Sequence, residues 1–258
     1  MTRIDRRALF TSGAAAALLA ATGVSATPQR GGRLRAALSA PMLDQAVGAT
    51  VYDNLTEIAA DGTLRGELAT DWSSDATARH WRFTLRGDVQ FHDGSAFDAH
   101  SVQSLPMNVE VIDATTVDIL LDAPNPNLPY LLAHPGYELR SETGVGTGLY
   151  RVQKLDMGRH FIATRVAEHY KDSAGWFDSV EFVHFSADAV RAEALRDGMV
   201  DAADITALDP HADPRDFQTL PGGRGTTHIA ATTLAVPPAV GKSWPLDNLR
   251  MAERWWMA

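Results

Sequence analysis

Three features of the sequence predict a mixed α/β protein built largely from short strands. Segments such as Trp81-Arg82-Phe83-Thr84-Leu85-Arg86 alternate apolar and polar residues, the period of a half-buried strand. A smaller number carry helical spacing, among them Ala46 to Ile58, with Val47, Val51, Leu55 and Ile58 on one face. Glycine and proline turns such as Asp61-Gly62 and His92-Asp93-Gly94 separate these pieces.

In chain order, Arg33 to Leu38 reads as a first strand after Gly31-Gly32, and Ala40 to Asp44 as a loop before the helical stretch. Leu68 to Trp72 leads into a hairpin with Trp81 to Arg86, and Val89-Gln90-Phe91 alternates again. Val109 to Leu121 holds two strand-like pieces joined by Asp113-Ala114-Thr115. Asp122 to Pro129, rich in proline and asparagine, is a loop. Leu149 to Leu155 and His160 to Val166 form two strands joined by Asp156-Met157-Gly158, and Val180 to Phe185 a third. Ser186 is placed to cap a helix from Ala189 to Arg196 that Gly198 ends. Met199 to Ile205 is extended, Asp209 to Gly225 is a polar loop, His228 to Val236 is strand-like, and Pro245 to Ala258 reads as a helix. Trp81, Phe83, Phe91, Trp176, Phe182 and Phe185 are assigned mostly to the core.

The 258-residue chain is 45% hydrophobic and 21% charged, a composition that supports a buried core. A formal charge of −9 argues against a nucleic-acid partner. Without cysteine there is no disulfide, thiolate metal site or cysteine nucleophile. The N-terminus places Arg3, Arg6 and Arg7 before an apolar run from Ala14 to Ala21 and then Val24-Ser25-Ala26, which reads as an export signal over residues 1–26. Arg6-Arg7 suggests the twin-arginine route, with Asp5 leaving general secretion open. Cleavage would remove three of 23 basic and one of 32 acidic residues, giving a formal charge of −11. The mature chain is expected in the periplasm, without direct membrane insertion.

The run Thr143-Gly144-Val145-Gly146-Thr147-Gly148 superficially resembles a nucleotide loop. A phosphate-binding loop needs a helix after it, and Leu149 to Leu155 alternates like a strand, so a structural turn is expected. The nine histidines show no metal-binding spacing, His92-Asp93 reads as a turn pair, Ser95 lacks a nucleophile elbow, and no other catalytic motif appears. The expectation is no enzyme, no cofactor and no metal.

Several short signatures follow one another in order: Val51-Tyr52-Asp53-Asn54-Leu55; Gly66-Glu67-Leu68-Ala69-Thr70-Asp71-Trp72; Trp81 to Arg86; Phe91-His92-Asp93-Gly94-Ser95; Gly146-Thr147-Gly148-Leu149-Tyr150; and Ala194-Leu195-Arg196-Asp197-Gly198. The series resembles the family 5 extracellular solute-binding proteins of ABC importers, the dipeptide, oligopeptide and nickel-binding type. The resemblance implies a periplasmic binding protein-like fold of type II, peptide-binding class. Residues 27–233 would form its first lobe, with a main sheet from 33–52 and 143–233 and an inserted β-rich subdomain at 53–142. Residues 234–258 would be the remnant of the start of a second lobe that is otherwise largely missing. In this family the Gly-Thr-Gly turn returns the chain to the main sheet, and its expected job is tight reversal through glycine's access to positive φ. The implied partners are a small solute, a peptide or related compound, and the membrane subunits of an ABC importer. Candidate ligand contacts near the first loop and the subdomain edge are Met42, Leu43, Tyr52 and Tyr137. The alternatives are a truncated, non-transporting fragment or a periplasmic scaffold; the Trp255-Trp256 pair suits a surface buried in a longer protein in the first case and an interface in the second.

Overall fold

The computed structural model describes residues 31–59, 62–172 and 174–205, and the backbone of the strands at 217–220 and 228–232. The expected export signal, much of the loop at 209–225 and the C-terminal helix lie outside the described residues.

The described residues open with β1 (Arg33–Leu38) and α1 (Ala40–Val51), followed by β2 (Thr56–Ile58), β3 (Leu64–Gly66), β4 (Ala69–Ser74) and β5 (His80–Leu85). A 3-10 turn at Ala99–Ser104 precedes β6 (Asn108–Asp113), β7 (Thr116–Leu120) and a single helical turn, α2 (Leu128–Leu131). β8 (Tyr150–Asp156), β9 (His160–Arg165), β10 (Ser179–His184), α3 (Asp188–Arg196), β11 (Ala202–Ile205), β12 (Phe217–Leu220) and β13 (His228–Thr232) follow.

Two bodies result. Seven strands form one sheet in the order β12-β13-β11-β1-β10-β9-β8, in which β1 runs parallel to β10 and β11 and the remaining pairs are antiparallel. Four strands form a second sheet, β4-β5-β7-β6, with the β2-β3 hairpin beside it. Successive residues of a strand point to opposite faces, so neighbours on β1 serve different cores. Ala36 packs with Phe161, Val180 and Phe182 under Leu43, Ala46 and Val51 of α1. Ala37 packs on the other face with Ala203, Ile205 and the Ala194 and Leu195 of α3. The four-stranded sheet has its own core, including Trp81, Phe83, Leu85, Phe91, Val117 and Ile119.

Most strands fall where alternation predicts them, and β5 shows strict in-out burial. Helix α1 does not. It covers Ala40–Val51, whereas the spacing predicts a loop at 40–44 and a helix from 46 to 58. Pro41 sits in its first turn, where a missing N–H and a fixed φ are tolerated. The helix ends because Tyr52 is extended (φ −118°), and Leu55 and Ile58 belong to the other body. The cap of α3 differs as well: Ala187, without a side-chain bond, stands where Ser186 was expected, and Asp188 in the first turn pairs with Arg191 at 2.8 Å. A short strand, β12, falls within the stretch expected to be loop.

Candidate functional site

Several of the signature motifs converge on the seam between the two bodies. The chain leaves α1 through Val51-Tyr52-Asp53-Asn54 and returns beside the same residues through Gly146-Thr147-Gly148. The Gly148 N–H donates to the Val51 carbonyl at 2.9 Å. A Cβ at Gly146 would lie 2.0 Å from the Val51 oxygen, and one at Gly148 2.5 Å from the Val51 carbonyl carbon. Glycine is needed at these two positions for close approach. The expectation of positive φ is met instead at Gly144, two residues earlier (φ +81°).

The His92-Asp93 turn locks onto this crossing. The His92 N–H donates to the Gly146 carbonyl at 2.9 Å, and His92 Nε2 bonds the Gly148 carbonyl at 2.7 Å. Burial lowers the His92 pKa, in keeping with a neutral ring that donates from Nε2. Asp93 accepts from Ser95, from Thr143 Oγ1 at 2.5 Å and from Ser141 Oγ at 3.3 Å. These hydroxyl and amide donors hold its carboxylate below the usual range. β8 follows the glycines as a strand, so no helix N-terminus stands there to receive a phosphate.

Beneath the crossing lies a buried charge cluster. Lys171 Nζ is 2.9 Å from Asp53 Oδ1 and 3.5 Å from Glu57 Oε2, and it bonds Glu67 Oε1. Thr147 Oγ1 donates to Asp53 Oδ2 at 2.9 Å, and the Asn54 N–H to Glu67 Oε2 at 2.7 Å. His169 takes the Lys171 N–H on Nδ1 and bonds the Thr147 carbonyl through Nε2 at 2.9 Å, which assigns the proton to Nε2. Burial disfavours the Asp53 charge, yet the Lys171 ammonium beside it holds its carboxyl well below the usual value. Glu67 moves the other way: burial, assisted by the Asp53 and Glu57 charges, pushes it up to about 8 against the pull of Lys171. No periodicity or motif signals Lys171, because its partners are 104 and 118 residues away in sequence.

Of the four residues proposed from sequence, two lie on the segments that meet at this seam. Tyr52, at the end of α1, donates from its hydroxyl to the Gly144 carbonyl at 3.2 Å, and the Arg140 guanidinium stands 4.2 Å above its ring. Tyr137 is half-buried against the core of the four-stranded body, on the same segment as Arg140. Met42 lies near the other end of α1, about 15 Å away along the helix axis at 1.5 Å per residue, half-buried against the sheet. Leu43 is a core residue, 2% exposed, and offers no side-chain surface to a solute. Arg140 was not among the sequence candidates. It is exposed, and among the described residues no carboxylate pairs with it.

Comparison with known proteins places this geometry in a lineage. Residues 63–105 and 103–234 match the family described as bacterial extracellular solute-binding proteins, family 5 Middle. The glutathione-binding protein GsiB of Salmonella paratyphi A is 25% identical over 187 residues, covering 60% of this chain and 36% of the relative. The nickel-binding periplasmic protein of Escherichia coli K12 is 41% identical over 51 residues, 20% of this chain and 10% of the relative. Among solved structures, AgaA of A. tumefaciens R10 in complex with agropinic acid superposes with a TM-score of 0.64 at 22% identity, over 73% of this chain and 48% of that one. NikZ of Campylobacter jejuni in complex with Ni(L-His) gives 0.63 at 21% identity, over 73% and 46%. The chain thus spans about half or less of the length of the proteins it matches. These solved structures share the α/β fold of periplasmic binding proteins, and the family match, which extends over more than half of the sequence, carries the assignment: the chain belongs to the family 5 bacterial extracellular solute-binding proteins.

Proposed function

We propose that the protein supplies one wall of a solute-binding site for an ABC importer, and that its solute carries a carboxylate. The observation that carries this reading is Arg140, an exposed guanidinium held over the Tyr52 ring with no carboxylate partner among the described residues. Planar guanidinium groups recognise carboxylates through paired N–H donors. The ring beneath fixes the plane of the guanidinium, so less freedom is lost when a solute docks. The ligands named for the relatives agree in chemistry: glutathione, a peptide, a nickel–histidine chelate and agropinic acid all bear carboxylates. Tyr52 lies beneath the group, and in this proposal Tyr137, three residues before Arg140, and Met42, near the other end of α1, complete the wall. The lobe assigned to residues 27–233, its subdomain at 53–142 and a signal-directed passage to the periplasm through residues 1–26 belong to the same proposal. No helix among the described residues is long and apolar enough to cross a membrane.

The test is calorimetry and thermal shift on the purified chain with dipeptides, glutathione and nickel–histidine, each beside its amidated counterpart. Acids should bind, amides should bind at least about tenfold more weakly, and Arg140→Ala should abolish the difference. Equal binding of acid and amide would overturn the carboxylate assignment.

A further inference from the structure

We infer that Lys171 is a positioning residue for the Tyr52–Arg140 face, acting through Asp53 as the ammonium that compensates a buried three-carboxylate junction. The inference rests on the solute-binding reading for what the face is used for, and on the geometry for how it is held.

The path is short. The Asp53 carboxylate is fixed by Lys171 Nζ at 2.9 Å and Thr147 Oγ1 at 2.9 Å. The main-chain carbonyl of the same residue accepts the Leu139 N–H at 2.9 Å. Tyr52 precedes Asp53 and Arg140 follows Leu139, so the pair is anchored on both segments by groups of one residue. If Asp53 turns or drifts, Tyr52 and Arg140 part.

The charges show why Lys171 and not packing holds Asp53. Three carboxylates, Asp53, Glu57 and Glu67, reach one ammonium. Glu57 also faces Arg65 across the β2-β3 hairpin. From the loop after β9 come His169, 3.7 Å from Asp53, and Tyr170, whose ring stacks on His169 and lies under Arg86. Arg86 spends its Nε on the Glu67 main-chain carbonyl. The Asp53, Glu67 and Lys171 side chains are all 13% exposed or less. Buried carboxylates stripped of their counter-charge either take up protons or draw in water.

That gives a signature distinct from ordinary loss of packing. In Lys171→Met, the Leu139 amide should lose protection from hydrogen exchange by at least about tenfold at pH 7.5, while amides in β5 and β7 keep theirs. The protection factor should recover as the pH is lowered to 5, because the buried Asp53 carboxyl, left without its ammonium, then binds a proton. The double variant Lys171→Met/Asp53→Asn, which removes one charge of each sign and keeps the Asp53 main-chain carbonyl, should recover part of the protection without acid. Arg140→Ala should leave the Leu139 amide protected. A loss in Lys171→Met that does not change with pH, or no loss at all, overturns the proposal. If Lys171→Met does not fold, the double variant decides: folding with a protected Leu139 supports charge compensation, and folding no better than the single variant overturns it. None of these readouts needs a solute. Should acid and amide solutes bind equally while Leu139 responds as expected, the carboxylate reading alone fails.

Discussion

At the scale of single residues, the molecule separates two reasons for glycine that look alike in sequence. Gly148 lies against the Val51 main chain, where a Cβ would sit 2.5 Å from a carbonyl carbon. Gly94 has φ +87° with nothing within 4 Å of a built Cβ. Gly148→Ala should therefore force the crossing apart and cost about 3 kcal/mol or more, whereas Gly94→Ala should cost only the 1–2 kcal/mol or so of a left-handed residue. Urea titration of both variants checks the order, and a reversal would mean that the crossing can yield. A second residue-scale prediction concerns acid. The Asp118 carboxylate is 5% exposed and receives two bonds from Arg82, at 2.7 and 2.8 Å, and one from His80. These hold its pKa down to about 2. A carboxyl depressed on folding stabilises the fold above its unfolded value near 3.9 and loses that contribution as pH falls through about 2. Asp118→Asn should flatten the stability profile between pH 4 and 2, measured by urea midpoints at each pH. The sequence displays none of this pairing, because Arg82 and Asp118 meet only through strand register.

At the scale of elements, legibility tracked whether a pattern stayed within one element. The hairpins were readable because β5, β6 and β7 alternate apolar and polar residues in sequence beside their turn residues, even though Asp118 of β7 is buried with its neighbours. Helix α1 was misplaced because Val51, Leu55 and Ile58 continue a 3.6-residue spacing across two elements that share no face. Leu55 fills the core of the four-stranded body while Val51 fills that of the sheet. β8 shows the converse: Val152 and Leu155 pair across to Ala163 and Phe161, yet at 38% and 46% exposure they remain outside the core that α1 covers. The energetic centre of that sheet is Phe161, fully buried with its ring 5.4 Å from that of Phe182. Phe161→Ala should cost about 3–5 kcal/mol, and Val152→Thr, on the same face but at the edge, within about 0.5 kcal/mol. Equal losses would show that the edge is buried in solution.

At the scale of the whole molecule, the seam explains why short motifs were so informative about family and so uninformative about the solute. Val51 to Leu55, His92-Asp93-Gly94 and Gly146-Thr147-Gly148 meet strict local demands of backbone approach and turn geometry, and such demands leave compact traces in sequence. The contacts of Arg140 and Lys171 join residues far apart along the chain and leave none. The seam also implies a degree of independence. The four-stranded body enters beside Val51 and leaves beside Gly148, two residues joined by a 2.9 Å hydrogen bond, and it has a core of its own. A body whose ends are already adjacent gains little from the entropy of closure by the rest of the chain, and on the order of 100 residues suffice for a cooperative core. Residues 53–148 expressed alone should therefore melt cooperatively, with native-like dispersion of the Trp72 and Trp81 signals. The excised body lacks Lys171 and His169, so Asp53 and Glu67 would face water at its cut surface. Water can then solvate those carboxylates in place of the ammonium, and the isolated body should not show the acid recovery expected of Lys171→Met in the intact chain. A fragment without a cooperative melt at any pH would mean that the seven-stranded sheet is required to form the four-stranded one.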